Sequence, residues 1–128
     1  MSFLSVLRGL LPKSFSPDDF DALRASSPRT VLLDVREPNE FAEGHIAGSV
    51  LVPMGKLAHH AQAIAGSGHP VVVICRSGAR ASSCEALLRQ HGTKDVHTLA
   101  GGVVAWQRAG RTLKTGSKSP ALFGVLKP

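Results

Sequence analysis

Pro70-Val71-Val72-Val73-Ile74-Cys75-Arg76-Ser77-Gly78-Ala79-Arg80 passes within eleven residues from an unbroken apolar run to a glycine-centred, twice-basic turn. The run is β-branched and too short for a helix. Uniformly apolar runs of this length mark strands buried on both faces of a parallel sheet. From the turn onward the chain has helical character as far as Gln90. Working outward, the same alternation repeats. Ser16-Pro17-Asp18-Asp19 is a helix start, with Ser as cap, Pro in the first turn and acids at the positive end of the dipole. Thr30 to Val35 reads as a strand, Pro38 to Glu43 as a short helix, and Val50-Leu51-Val52 as a second small strand. Leu57 to Ala65 reads as a helix, Asp95 to Leu99 as a strand, and Val103 to Ala109 as a last helix opened by Gly101-Gly102. Strands alternating with helices across short connections predict an α/β fold, a small parallel β-sheet with helices on its faces.

The 128 residues, 43% hydrophobic and 19% charged, suit one domain and are too apolar for a disordered chain. Two cysteines cannot make a disulfide-dense scaffold. The formal charge of +6 suggests nucleic acid until it is mapped. Residues 14–107 hold eight basic side chains against all nine acids, a net of −1, and the excess lies at the two ends. With no Tyr and one Trp there is no stacking platform for bases, so nucleic-acid binding is set aside. No apolar run approaches the roughly 18 residues that span a bilayer. Met1 to Leu11 lacks a basic start and a small-residue cleavage site, so a reducing cytoplasm is the expected location. The expected organisation is an apolar segment at 1–12, a domain at 13–111, and a basic, partly apolar tail at 112–128. That tail is expected to lie outside the core and to be dispensable for chemistry.

Ligands of open α/β sheets gather at the carboxyl ends of the strands. Cys75 stands at such an end, directly before a helix, where backbone N–H groups lack helical partners and form an anion-binding nest. Gly78 lets the loop curl, and Arg76 and Arg80 add positive charge. A thiolate is the form of cysteine that such surroundings favour.

Cys75-Arg76-Ser77-Gly78-Ala79-Arg80 resembles the active-site loop of the rhodanese (thiosulfate sulfurtransferase) family. Leu32-Leu33-Asp34-Val35-Arg36-Glu37 with Glu40-Phe41, Gly44-His45-Ile46-Ala47-Gly48-Ser49 with Pro53, and Leu99-Ala100-Gly101-Gly102 with Trp106 resemble its other signatures in order and spacing. The resemblance runs from about Ser16 to Arg111 and implies a single-domain, rhodanese-like fold. It implies that Cys75 becomes a persulfide, with the amides of Arg76, Ser77, Gly78, Ala79 and Arg80 around the outer sulfur and the two arginines drawing in an anionic donor. Asp34 and Arg36 are expected as buttresses near the loop, and His45 as a structural residue of a turn.

The expected reaction is double displacement. A sulfane sulfur passes from thiosulfate or another persulfide donor to Cys75, then to a thiol, cyanide or a protein acceptor. No metal or organic cofactor is called for. A rival from another class is a sulfur-delivery or partner-binding module with little thiosulfate turnover. A phosphatase is disfavoured because four residues, not five, separate Cys75 from Arg80, giving a ring of amides too tight for a phosphoryl group. Cys84 falls on an apolar helical stripe roughly 9–10 Å from Cys75, beyond disulfide reach, and reads as a core cysteine. The six histidines show no metal-ligand spacing.

Overall fold

Val31–Asp34 (β1) and Val71–Ile74 (β3) are buried at every residue and lie side by side at the centre of a four-stranded sheet. They run parallel, paired from Val31 with Val71 to Asp34 with Ile74. Val50–Leu51 (β2) adds to the outer side of β1 and Val96–Thr98 (β4) to that of β3, both parallel. The order is β2-β1-β3-β4. The structure is a computed structural model that describes residues 15–128; the apolar segment expected at 1–12 lies outside the described residues.

Successive strand side chains point to opposite faces, which divides the core in two. Val31, Leu33, Val71 and Val73 pack on one face with Leu57, Ile64 and Leu88. Leu32, Val72 and Ile74 pack on the other with Phe20, Ile46 and Trp106. The first face is covered by Leu57–Ser67 (α3) and Ala79–Gln90 (α4). Pro17–Ser26 (α1) and Gly102–Arg108 (α5) cover the second, while Pro38–Glu43 (α2) follows β1. Both faces must be apolar for such a sheet, hence the unbroken apolar runs of its central strands. At the start of α1 the Ser16 hydroxyl accepts the Asp19 N–H at 3.1 Å and the Asp19 carboxylate accepts the Ser16 N–H at 2.9 Å. This capping box satisfies two amides that a helix start otherwise leaves unpaired.

The expectation that 112–128 lies outside the core is corrected. Lys114 and His45 exchange backbone hydrogen bonds, each of 2.8 Å, and Trp106 Nε1 donates to the Thr112 carbonyl at 3.0 Å. Ser119 Oγ accepts the Leu51 N–H at 2.9 Å, so the segment blunts the outer edge of β2, an edge that would otherwise expose unpaired backbone. Leu122–Val125 (α6) then lays Leu122 and Val125 on the first core cluster, and Leu126 is only 9% exposed. The Lys127 carbonyl accepts hydrogen bonds from Arg29 at 2.8 Å and His69 at 2.9 Å. Composition alone marks this stretch as polar and basic. What recruits it is an open strand edge and an apolar surface that other parts of the chain create.

Candidate active site

Cys75 follows the last residue of β3 and is 1% exposed. Its Sγ accepts the Gly78 N–H at 2.9 Å. The turn back to the sulfur requires φ +108° at Gly78, a value that residues with a Cβ rarely adopt. α4 begins at the next residue, so the unpaired amides and positive dipole end of a twelve-residue helix lie at the loop. Arg76, Ser77 and Ala79 are exposed, whereas Gly78 and Arg80 are half-buried.

The loop rests on the start of α5. Val103 N–H donates to the Cys75 carbonyl at 3.0 Å and Val104 N–H to the Arg76 carbonyl at 3.2 Å. Gly102, with φ +56°, makes this approach attainable. A Cβ there would overlap the Cys75 oxygen and stand 2.5 Å from the Arg76 oxygen. In the sequence Gly101-Gly102 reads as a helix start and part of the resemblance, and its place behind Cys75 is not visible there. The sequence separates Gly102 from Cys75 by 27 positions, so no local pattern reports it.

Arg80 is not the free cation expected. Its guanidinium forks onto Glu40 of α2, with Nη1 at 2.6 Å from one carboxylate oxygen and Nη2 at 2.8 Å from the other. The Glu37 N–H adds a third hydrogen bond to Glu40 at 3.1 Å. Arg80 foremost, with the Glu37 amide also contributing, holds the Glu40 carboxyl down at about 2, and Glu40 in turn raises the Arg80 pKa further. The pair straps the first turn of α4 to α2, which makes Glu40 a site-building residue that the sequence reading noted only within a motif.

Asp34 is fully buried and takes a forked pair from Arg36, with Nη2–Oδ2 at 2.8 Å and Nε–Oδ1 at 3.0 Å. Arg36 Nη2 also donates to the Gly44 carbonyl at 2.7 Å. These residues thus hold the turn from β1 to the far end of α2. No hydrogen bond joins either side chain to the Cys75–Arg80 loop among the described residues. The His45 ring stacks on Phe41 at 3.8 Å, and its Nδ1–H donates to the Phe41 carbonyl at 2.9 Å, so it is engaged in structure. Cys84 is a free, buried thiol, pushed up to about 11 by burial, with the charge at Cys75 adding to the effect.

Two clefts adjoin the loop. One, of about 480 Å³, is lined by Arg36, Glu40, Glu43 and Arg76 and walled by Val103, Val104 and Leu113. Leu113 comes from the segment expected to be dispensable. The other, of about 360 Å³, lies beside Gly78 and Ala79 and includes Ser82, Glu85 and His97. Among the described residues no three His, Cys, Asp or Glu side chains converge as a metal site would. No helix there is long and apolar enough to cross a membrane.

Comparison with known proteins fits this geometry. Residues 16–109 match the family model described as a rhodanese-like domain. The chain is 33% identical over 94 residues to the uncharacterized protein YqhL of Bacillus subtilis, covering 73% of this chain and 71% of that protein. It is 34% identical over 95 residues to the thiosulfate sulfurtransferase GlpE of Stutzerimonas stutzeri, covering 74% and 84%. Its fold superimposes on the crystal structure of the Alr3790 protein of Anabaena with a TM-score of 0.70 at 25% identity, over 79% of this chain and 80% of that one.

Proposed function

This chain belongs to the rhodanese-like sulfurtransferase family, and we propose that it transfers a sulfane sulfur through a persulfide on Cys75. The donor is thiosulfate or another persulfide-type compound, and the acceptor is a thiol, cyanide or a protein cysteine. The observation that carries this reading is the Gly78 N–H directed at Cys75 Sγ, 2.9 Å away, at the N-terminus of α4. A hydrogen bond to sulfur from a helix N-terminus favours negative charge on that sulfur, which is what a sulfur nucleophile needs.

With thiosulfate, the Cys75 thiolate attacks the outer sulfur and a Cys75–sulfur bond forms. The sulfur–sulfur bond of the donor breaks, and sulfite leaves with its electron pair. The acceptor then attacks the outer sulfur of the persulfide, and Cys75 leaves as thiolate. Charge stays near the loop throughout, so amides fixed in advance stabilise each stage without reorganising. In this reading Arg76, exposed beside the sulfur, meets the donor's charge. Arg80 and Glu40 hold the loop, and Asp34 with Arg36 holds the wall opposite. A reducing cytoplasm is the setting assigned, since the nucleophile must be kept as a thiol.

Intact-mass spectrometry after incubation with thiosulfate tests the proposal. One added sulfur atom is expected, absent in Cys75→Ser and retained in Cys84→Ser. A wild-type protein that gains no sulfur from thiosulfate or from an organic persulfide would refute it.

A further inference from the structure

We propose that the donor this site is built for is a zwitterionic organic persulfide, with an ammonium and a carboxylate as in an amino acid, and not an inorganic dianion. This rests on the sulfurtransferase reading and specifies its substrate class.

Charge in the two clefts separates the donor classes. The larger one is lined by two arginines and two glutamates. Arg36 is buried and committed to Asp34 and the Gly44 carbonyl, and Glu40 is committed to Arg80. That leaves Arg76 and Glu43, both exposed, with no ion-pair partner among the described residues. One charge of each sign therefore faces the solvent of the cleft. The smaller cleft is lined by no arginine or lysine; its Glu85 is paired with Arg89 at 3.7 Å, and its His97 is bonded to Asp95 at 2.6 Å.

A dianion gains from Arg76 and from the amides at the start of α4 but is opposed by Glu43, and the lining side chains of neither cleft add a net positive charge to gather it. A zwitterion meets both, its carboxylate at Arg76 and its ammonium at Glu43. Val103, Val104 and Leu113 provide an apolar wall for a carbon skeleton, a surface an inorganic anion does not use. The volume of about 480 Å³ is that of a small-molecule site, within the usual range of roughly 300–1,000 Å³. In the reaction the Cys75 thiolate attacks the terminal sulfur of R–S–SH. A Cys75–S–SH bond forms, the donor's S–S bond breaks, and R–S⁻ leaves with the electron pair. No oxidant or reductant is consumed.

The test compares four donors at matched pH: cysteine persulfide (both charges), 3-mercaptopropionate persulfide (carboxylate only), cysteamine persulfide (ammonium only) and thiosulfate. Exposed charges are screened, so each contact is expected to change kcat/KM about two- to fivefold. Glu43→Gln should lower cysteine and cysteamine persulfide by that factor and raise the purely anionic donors, 3-mercaptopropionate persulfide and thiosulfate. Arg76→Gln should lower the three donors that carry anionic groups relative to cysteamine persulfide. These are ratios between donors, which a merely structural role would not move. If Cys75 takes up sulfur but Glu43→Gln leaves the ratio of cysteine to 3-mercaptopropionate persulfide unmoved, the donor assignment is overturned alone. If none of the four donors places sulfur on Cys75, the sulfurtransferase reading falls and the donor assignment with it.

Discussion

Gly102→Ala places one methyl group behind Cys75, and its cost can be worked from the geometry. The new Cβ would overlap the Cys75 carbonyl oxygen and lie 2.5 Å from the Arg76 oxygen and 2.6 Å from the Arg76 carbonyl carbon. All three are backbone atoms, so no side chain can swing away. The loop and the start of α5 must part. Overpacking of this kind costs about 1–3 kcal/mol, and two backbone hydrogen bonds of about 1 kcal/mol each are weakened with it. With the left-handed backbone cost of about 1–2 kcal/mol that φ +56° also imposes, a total of about 3–7 kcal/mol is expected, a fall in Tm on the order of 10–30 °C for a domain of this size. Displacing the loop by even an ångström should also reduce turnover by roughly 100-fold at temperatures where the variant stays folded. The control is Gly48→Ala. Gly48 also has positive φ, +84°, but nothing lies within 4 Å of a Cβ there. It should pay only the left-handed backbone cost of about 1–2 kcal/mol and keep its activity. Thermal unfolding and thiosulfate–cyanide turnover, measured on both variants, decide the matter. A Gly102→Ala protein as stable and as active as Gly48→Ala would refute the idea that close backbone approach positions Cys75.

Leu126→Ala should destabilise by about 2 kcal/mol, because Leu126 is 9% exposed within the first core cluster, and a lowered urea midpoint would report it. Deleting 112–128 should cost more and should weaken donor binding as well, through loss of Leu113 from the cleft wall. Arg80→Ala should slow thiosulfate and uncharged persulfide donors alike, since the guanidinium is spent on Glu40; a loss confined to anionic donors would restore Arg80 as a direct ligand. The Glu40 carboxyl lies lower in the folded state, at about 2, than its ordinary value of 4.5. Its contribution is therefore complete above pH 4.5 and lost as the pH falls through about 2, and Glu40→Gln should flatten the stability curve over that window. Cys84, pushed up to about 11, should resist alkylation at pH 8 in the folded protein and react once it is unfolded.

The parallel sheet, the helices on both faces and the position of Cys75 at a strand end were legible in the residue order. Those features depend on neighbours along the chain. Val71 to Ile74 is uniformly apolar, Ser16 carries its own capping partner three residues on, and Gly78 follows Cys75 within one turn. Local backbone preference and side-chain alternation decide such elements before any tertiary contact exists. The partners of Arg80 and of the Cys75 carbonyl were not legible, because Glu40 is 40 positions away and Val103 is 28. Nor was the docking of 112–128, whose polar residues read as solvent-exposed when taken by themselves. Ser119 finds its donor only because β2 lies at an edge, and Leu126 is buried only because α3 and α4 leave an apolar surface for it to cover. Where distant segments cross is decided by which backbone groups and which apolar surface the rest of the fold leaves unpaired, and those are properties of the folded chain as a whole.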